Sequence, residues 1–488
     1  MPRLQYTLMT ESNNQLVRGL NLTDSTSLVI GKVIGTGVFL KAAVMMQYVH
    51  TPSLMLMAWA AAGLLSLAGA LTYAELGAMF PRAGGEYVYL RAAYGDAPAF
   101  LYGWMQLFVG QTGIIAALGI AAATFMSSFF PVNAVWFHHS FNMIGRAIDW
   151  RFGPQQVIAV SLILLFSVVN CIGVVMGGRT QTILTAAKLL GVAIIIIGVF
   201  FIARGGSWSN LNTPNGVPAW SGSAAFGAAM LASLWAYNGW GNLPMAAGEV
   251  KNPGHNIPRA LIGGMIVVVL IYVLVNLSYV YILSPAEVIS SYSTAYRDAL
   301  PVVTKAVRTF MNSGGEKFIS IIFVISALGS LNAGVLTAAR VPFAMARDGL
   351  FFSGIAQLGR KSRVPIWAIV TQGIWACILA LSGTFDQLTD FAVFALWLFF
   401  GLTTASVFVL RRKMPNADRP YRTVGYPILP LAFIAVATWL VMNTLYTNPW
   451  GSGAGLALIA MGLPFYLYFR HKKRQATLFA TIQTGHKI

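Results

Sequence analysis

The chain has 488 residues, of which 57% are hydrophobic and only 9% charged, and its mean hydropathy is +0.68. A water-soluble domain cannot bury that much apolar surface, so soluble classes are excluded and the bilayer is the expected solvent. The formal net charge of +18 would suit a nucleic-acid partner, but the positions of the Lys and Arg residues argue for membrane topology instead.

In chain order, a polar leader of about 25 residues carries Glu11 and Asp24 and meets no small-residue cleavage site, so it is expected to remain in the mature chain. Apolar runs able to supply about 20 residues per helical crossing then recur to the end of the sequence. They place spans at 26–49, 54–79, 97–129, 156–176, 181–203, 223–248, 259–283, 317–345, 365–383, 388–410, 427–447 and 452–469. The fold class is an all-α membrane protein with twelve transmembrane helices. It divides into an N-terminal tail (1–25), a five-helix unit (26–203), a second five-helix unit (223–410), two additional helices (427–469) and a basic C-terminal tail (470–488). An even number of spans puts both termini on one side. The loops of that side hold an about three-fold excess of Lys and Arg, Arg360, Lys361, Arg363, Arg411, Arg412 and Lys413 among them, which marks it as cytoplasmic and the location as a cell membrane.

Two spans carry backbone-breaking sequence at their middles, Gly35-Thr36-Gly37 in the first and Asn238-Gly239-Trp240-Gly241 in the sixth. Glycine costs about 1 kcal/mol in a helix relative to alanine. In hydrocarbon, such a break also frees amides and carbonyls, which is tolerated only where protein or a water-filled cavity surrounds them. Close helix packing is the bland alternative for one such stretch. Two stretches at matching places in two five-helix halves are the pattern of an inverted-repeat transporter. The amides of Thr36, Gly37 and Val38 then open a half-helix at its positive dipole end, suited to a carboxylate. The carbonyls of Val33 and Ile34, and those of Trp235 and Ala236, suit an ammonium group. A zwitterion fits both.

Lys188 lies near the middle of the fifth span, where an ammonium costs roughly 2.5–3.5 kcal/mol on insertion scales and is by default a functional residue. Lys32 stands one turn before the first break and is expected to snorkel toward water, Lys41 is ambiguous, and Glu75 and Glu249 are expected to hold helix ends through Arg partners. Cys171 and Cys377 both fall inside spans, so no disulfide framework is expected, and the six histidines show no metal-ligand spacing; no metal and no cofactor are expected.

At this point the chain resembles the L-type amino acid transporters of the amino acid–polyamine–organocation superfamily, over nearly its whole length. The resemblance rests on Ile34 to Phe39, Ala70 to Leu76, Gly84-Gly85-Glu86-Tyr87, Ala186 to Leu189, Trp235 to Trp240, Glu249 with Asn252-Pro253, Ile257 to Arg259, Ser326 to Asn332, and Val409 to Pro420. It implies a LeuT-like five-plus-five inverted repeat with helices one and six unwound at their midpoints, and sodium-independent amino acid transport, often as obligatory exchange. It puts the substrate carboxylate on Thr36 and Gly37, its ammonium on carbonyls at Val33, Trp235 and Asn238, and the extracellular gate at Trp235. It sets Lys188 against spans one and eight in place of a sodium ion, with Ser326 and Ser330 as partners. Asn238 is neutral, which favours neutral substrates, and Phe394 and Trp397 are side-chain contact candidates. Mammalian light chains of this family have an extracellular cysteine after span three that the 131–156 loop lacks, so no disulfide-linked heavy chain is expected and the protein is expected to be bacterial.

The expected function is a sodium-independent carrier of neutral L-amino acids that works as an exchanger. The alternatives are a proton-coupled symporter of amino acids or amines, and a membrane sensor that binds without transport. An enzyme is disfavoured because neither a phosphate-binding loop nor a nucleophile elbow is present.

Overall fold

The computed structural model describes residues 15–132, 134–143, 146–212, 217–218, 220, 222–382, 385–447 and 449–485, without the side chains of 141–149, 383–394 and 476–485. Among the described residues, ten helices are long and apolar enough to cross a membrane, beginning with Leu22–Val49, Pro52–Met79 and Asp96–Ser128. Two shorter apolar helices, Ser223–Ala236 and Ile366–Ser382, stand where spans six and nine were expected. Local sequence sets the helix starts. Asn21 and Asp24 form a capping box on span one, and Pro52, Pro154 and Pro253 open their helices at the first turn, where a missing N–H costs nothing.

Span one is two helices, Leu22–Val33 and Gly37–Val49, and span six is Ser223–Ala236 followed by the short Asn242–Met245. The second half of span one packs along the first half of span six, and the first half of span one meets Asn242–Met245, so the two broken helices run in opposite directions. Span one packs on seven and span six on two; span five packs on eight and span ten on three; two meets seven, three meets eight and four meets nine. Advancing each partner by five returns the same set of pairs, as an inverted five-plus-five repeat requires.

Three features differ from the expected layout. Span five begins at Val174, not near 181, because Gly177 and Gly178, which resemble a loop signal, are contact points: a Cβ on either would meet Leu336 or Leu20 at 2.9 and 2.7 Å. The 131–156 loop after span three contains an antiparallel hairpin, Phe137–Met143 with Arg146–Phe152, which the sequence reading did not anticipate. The basic tail continues the last helix, Gly462–Gly485, since its Lys, Arg, Gln and Ala are good helix formers.

Candidate substrate site

The break in span one spans Ile34 to Thr36, and its two faces are chemically unlike. The Gly35 amide donates to Val33 O at 2.7 Å, closing a tight turn, after which the helix restarts at Gly37. The amides of Thr36, Gly37 and Val38 donate to no acceptor among the described residues. They are the orphan donors of a 13-residue helix, at its positive end. A Cβ on Gly37 would lie 2.7 Å from Ala236 Cβ and 3.0 Å from the Trp235 ring, so span six packs closely against this glycine at the start of the half-helix.

The break in span six is held open by Gly239, whose φ of 132° is accessible to glycine and strained for other residues. Beside it, Trp235 and Asn238 are half-buried, as is Gly35 across from them. The Lys41 ammonium stands 5.0 Å above the Trp235 ring, a cation–π contact that steadies the indole next to the break.

The carbonyls expected to be free are not equally so. Ile34 O accepts from Lys188 Nζ and, at 3.0 Å, from Ser326 Oγ. With both lone pairs engaged it has no place for a substrate ammonium, which corrects the expectation for Ile34. Val33 O takes the Gly35 amide and lies 2.9 Å from the Tyr272 hydroxyl, and the same hydroxyl lies 2.9 Å from Ala236 O. Tyr272, from span seven, was not anticipated. It has one proton for two carbonyls, so it spans the two breaks and donates to one of these oxygens at a time. Trp235 O accepts the Asn238 amide at 3.3 Å, and no donor to Asn238 O is found among the described residues.

Lys188 is fully buried, and its ammonium donates to Gly31 O at 2.8 Å and to Ile34 O. Ser330 Oγ donates to Gly31 O at 3.1 Å. Spans five and eight thus bring an ammonium and two hydroxyls to the carbonyls that end the first half of span one. The close approach of spans one and five rests on Gly31, where a Cβ would collide with the side chains of Gln181 and Thr185.

Lys32 does not snorkel. It is 7% exposed, and its ammonium points across the bundle to Ser330 O at 3.4 Å. The four-carbon stem packs under the second break, where Gly239 leaves room for it, and that packing turns the head away from water. Trp397 is also corrected as a side-chain contact: it is buried against Phe433, near-parallel at 5.9 Å, and edge-on to Phe400 at 5.8 Å, so it packs toward span eleven. The Phe394 side chain lies outside the described residues.

Away from the breaks, Glu249 forms a bidentate pair with Arg340 at 2.7 and 2.8 Å, both side chains fully buried, and Glu75 pairs with Arg411 at 2.7 Å. The Leu20 amide donates to Glu249 O and the Lys251 amide to Leu20 O, tying the chain before span one to the end of span six. Between that tie and the start of span three a cavity of about 980 Å³ is lined by Arg18, Arg82, Arg91 and Arg347 with Asp96 and Asp348. Glu86, which opens the helix Glu86–Tyr94 between spans two and three, is fully buried and accepts from Tyr73 at 2.7 Å and from Tyr102. Burial without a cation pushes its carboxyl up to about 8, against the opposing pull of its hydrogen bonds from Tyr73 and Gln106.

Two oppositely directed helices, broken where they face each other, with free amides on one side and under-used carbonyls on the other, are the architecture of a secondary membrane carrier. A family model described as amino acid permease matches residues 20–463, and the chain belongs to that family, within the amino acid–polyamine–organocation superfamily. It is a multi-pass membrane transporter, not an enzyme, with a small-molecule substrate. The chain is 34% identical over 478 residues to the serine/threonine exchanger SteT of Bacillus subtilis (strain 168), covering 96% of this chain and 100% of that one. It is 30% identical over 464 residues to the b(0,+)-type amino acid transporter 1 of Homo sapiens, covering 94% and 89%. It is 28% identical over 493 residues to the human large neutral amino acids transporter small subunit 2, covering 96% and 84%.

Proposed function

We propose that this chain exchanges neutral L-amino acids across a cell membrane without sodium, by alternating access around the two breaks. The reading is carried by one observation: the unpartnered amides of Thr36, Gly37 and Val38 face Trp235 and Ala236 of the opposed broken helix. The substrate carboxylate sits on those amides. Its ammonium is received by Asn238 O and by whichever of Val33 O and Ala236 O the Tyr272 proton leaves open. Trp235 closes over the site as the gate. Lys188, with Ser326 and Ser330, takes the place of a coupling sodium by occupying Gly31 O and Ile34 O. Asn238 offers no counter-charge to a cationic side chain, which favours neutral substrates.

Exchange is supported by SteT, whose name states it. Both termini are cytoplasmic by the excess of Lys and Arg on their side. The only cysteines, Cys171 and Cys377, lie in spans four and nine, so the protein works without a disulfide-linked subunit. Proteoliposomes loaded with alanine test the reading. Labelled alanine uptake should require internal amino acid and be indifferent to sodium, and competition by a panel of amino acids then defines the side-chain range. A second reading, proton-coupled uptake, is favoured by the buried Glu86 carboxyl; uptake driven by a pH gradient with empty vesicles would select it. Binding of alanine without any flux would instead select a sensor.

A further inference from the structure

The cavity of about 980 Å³ beside the start of span three is lined by no residue of either break, and the substrate reading leaves it without a role. It lies on the side of the bundle that carries Arg18 and Lys473, near the two ends of the chain, which the excess of Lys and Arg marks as cytoplasmic. Its cations come from separate parts of the sequence. Arg18 stands just before Asn21, which caps span one, Arg82 lies in the connection between spans two and three, and Arg347 closes the helix Arg340–Arg347 at the end of span eight.

The acidic groups of the cavity are already engaged. Arg91 Nε lies 2.7 Å from Asp96 Oδ1, and Arg91 Nη1 lies 2.6 Å from Asp348 Oδ1. The remaining carboxylate oxygens meet Lys473 Nζ at 3.1 Å and the Tyr87 hydroxyl at 3.0 Å. That cluster ties the helix Glu86–Tyr94 and the start of span three to the end of span eight, and so fixes Arg82 and Arg347 about the same space. Arg18 and Arg82 have no carboxylate partner among the described residues. The positive-inside bias accounts for the number of cations on this face, but not for guanidiniums from three segments converging on one cavity. Like charges gathered in this way repel one another unless an anion lies between them.

The planar guanidinium fork matches phosphate oxygens two at a time, which makes arginine the side chain suited to phosphate recognition. The volume falls within the about 300–1,000 Å³ typical of small-molecule sites. Phe80, Val88 and Phe343 add an apolar wall beside the charge. Basic pockets between helices on the cytoplasmic side are also where anionic lipid headgroups are held.

We propose that this cavity binds a phosphate-bearing anion, gripped by Arg18, Arg82 and Arg347. The phosphate is that of an anionic phospholipid headgroup or of a free phosphate compound, which share this chemistry. The proposal stands on the cavity alone and does not depend on the amino acid site.

The test titrates the detergent-purified full-length protein, washed free of lipid, with phosphatidylglycerol, phosphatidylcholine or pyrophosphate. Binding is read from the rise in melting temperature and, for the lipids, from adducts in native mass spectrometry. Phosphatidylglycerol or pyrophosphate should bind at least about ten-fold more tightly than phosphatidylcholine, whose headgroup has no net charge. Phosphatidylglycerol binding that pyrophosphate does not displace identifies a lipid headgroup; stabilisation by pyrophosphate identifies a free phosphate. The double replacement Arg18→Gln with Arg82→Gln should weaken the bound ligand by about ten-fold or more. Arg360→Gln with Lys361→Gln removes the same charge from exposed positions of that face outside the cavity, and should change affinity less than about two-fold. The single replacements keep the comparison available should the double variant fail to fold. Equal affinity in the wild type and the arginine variants overturns the proposal, as does an equal loss in the control pair, which is the signature of diffuse surface charge. Binding of neither phosphatidylglycerol nor pyrophosphate by the wild type overturns it as well.

Discussion

Lys188 Nζ lies 2.8 Å from the carbonyl oxygen of Gly31, and the same ammonium also meets Ile34 O, so the last turn before the first break hangs on a side chain from span five. Ser326 and Ser330 donate to the same two oxygens from span eight. A carbonyl left bare by a helix break in hydrocarbon needs a donor or a cation. Here a fixed cation from the protein supplies it.

Replacing Lys188 with Ala removes that donor and leaves Gly31 O and Ile34 O with only the serine hydroxyls. Alanine exchange should drop at least ten-fold, while insertion and size-exclusion behaviour in detergent stay near wild type. Uptake in proteoliposomes normalised to incorporated protein checks this, and wild-type flux in the variant would remove Lys188 from the coupling role.

Gly35 and Gly37 are two residues apart and should respond differently. A Cβ on Gly37 meets Ala236 Cβ at 2.7 Å and the Trp235 ring at 3.0 Å, whereas a Cβ on Gly35 meets nothing closer than Val33 O at 3.9 Å. Gly37→Leu should abolish alanine binding with insertion intact, and Gly35→Ala should lower affinity far less. Equilibrium binding of labelled alanine to the two purified variants distinguishes them.

Glu249 and Arg340 are both fully buried and pair through two hydrogen bonds. Removing one partner leaves a buried charge uncompensated, which costs about 3–5 kcal/mol. Arg340→Met should therefore lower the melting temperature in detergent markedly, and the double replacement Arg340→Met with Glu249→Leu should recover much of the loss. Additive damage in the double variant would show that the two groups do not act as a pair.

Glu86 sets a pH dependence of stability. Its carboxyl is raised to about 8 from 4.5, so the folded protein holds a proton there that the unfolded chain has lost. The stabilisation is complete below about pH 4.5 and declines as the pH rises toward about 8. Melting temperatures should fall over that window in the wild type, and Glu86→Gln, which cannot ionise, should flatten that part of the curve. Identical profiles would mean that Glu86 stays charged throughout.

The spans and the two breaks were legible because each has a local signal: long apolar runs, and paired small or polar residues at their centres. Lys188 was legible because a charge deep in an apolar run has few explanations. Lys32 carries the same signal but stands nearer a break, and sequence spacing does not reveal which way a flexible stem turns; the space under Gly239 decides it. Tyr272 was invisible because its role depends on span seven lying across both breaks, a contact between residues 239 positions apart in one case. Trp397 was ambiguous for the same reason, since an aromatic on a helix fits either the site or the neighbouring Phe433 until the helix rotation is known. The charge pairs of Glu75 and Glu249 were expected from their places at span ends, although the sequence did not name Arg411 and Arg340 as the partners.

The central claim is that backbone groups from both breaks grasp the two charged ends of one small molecule. Displacement of labelled alanine from the purified protein by propionate, which lacks the ammonium, and by ethylamine, which lacks the carboxylate, tests it most directly. The account predicts that unlabelled alanine displaces the label while neither half-molecule does so at a hundred-fold higher concentration. Displacement by either one at concentrations comparable to alanine would contradict it.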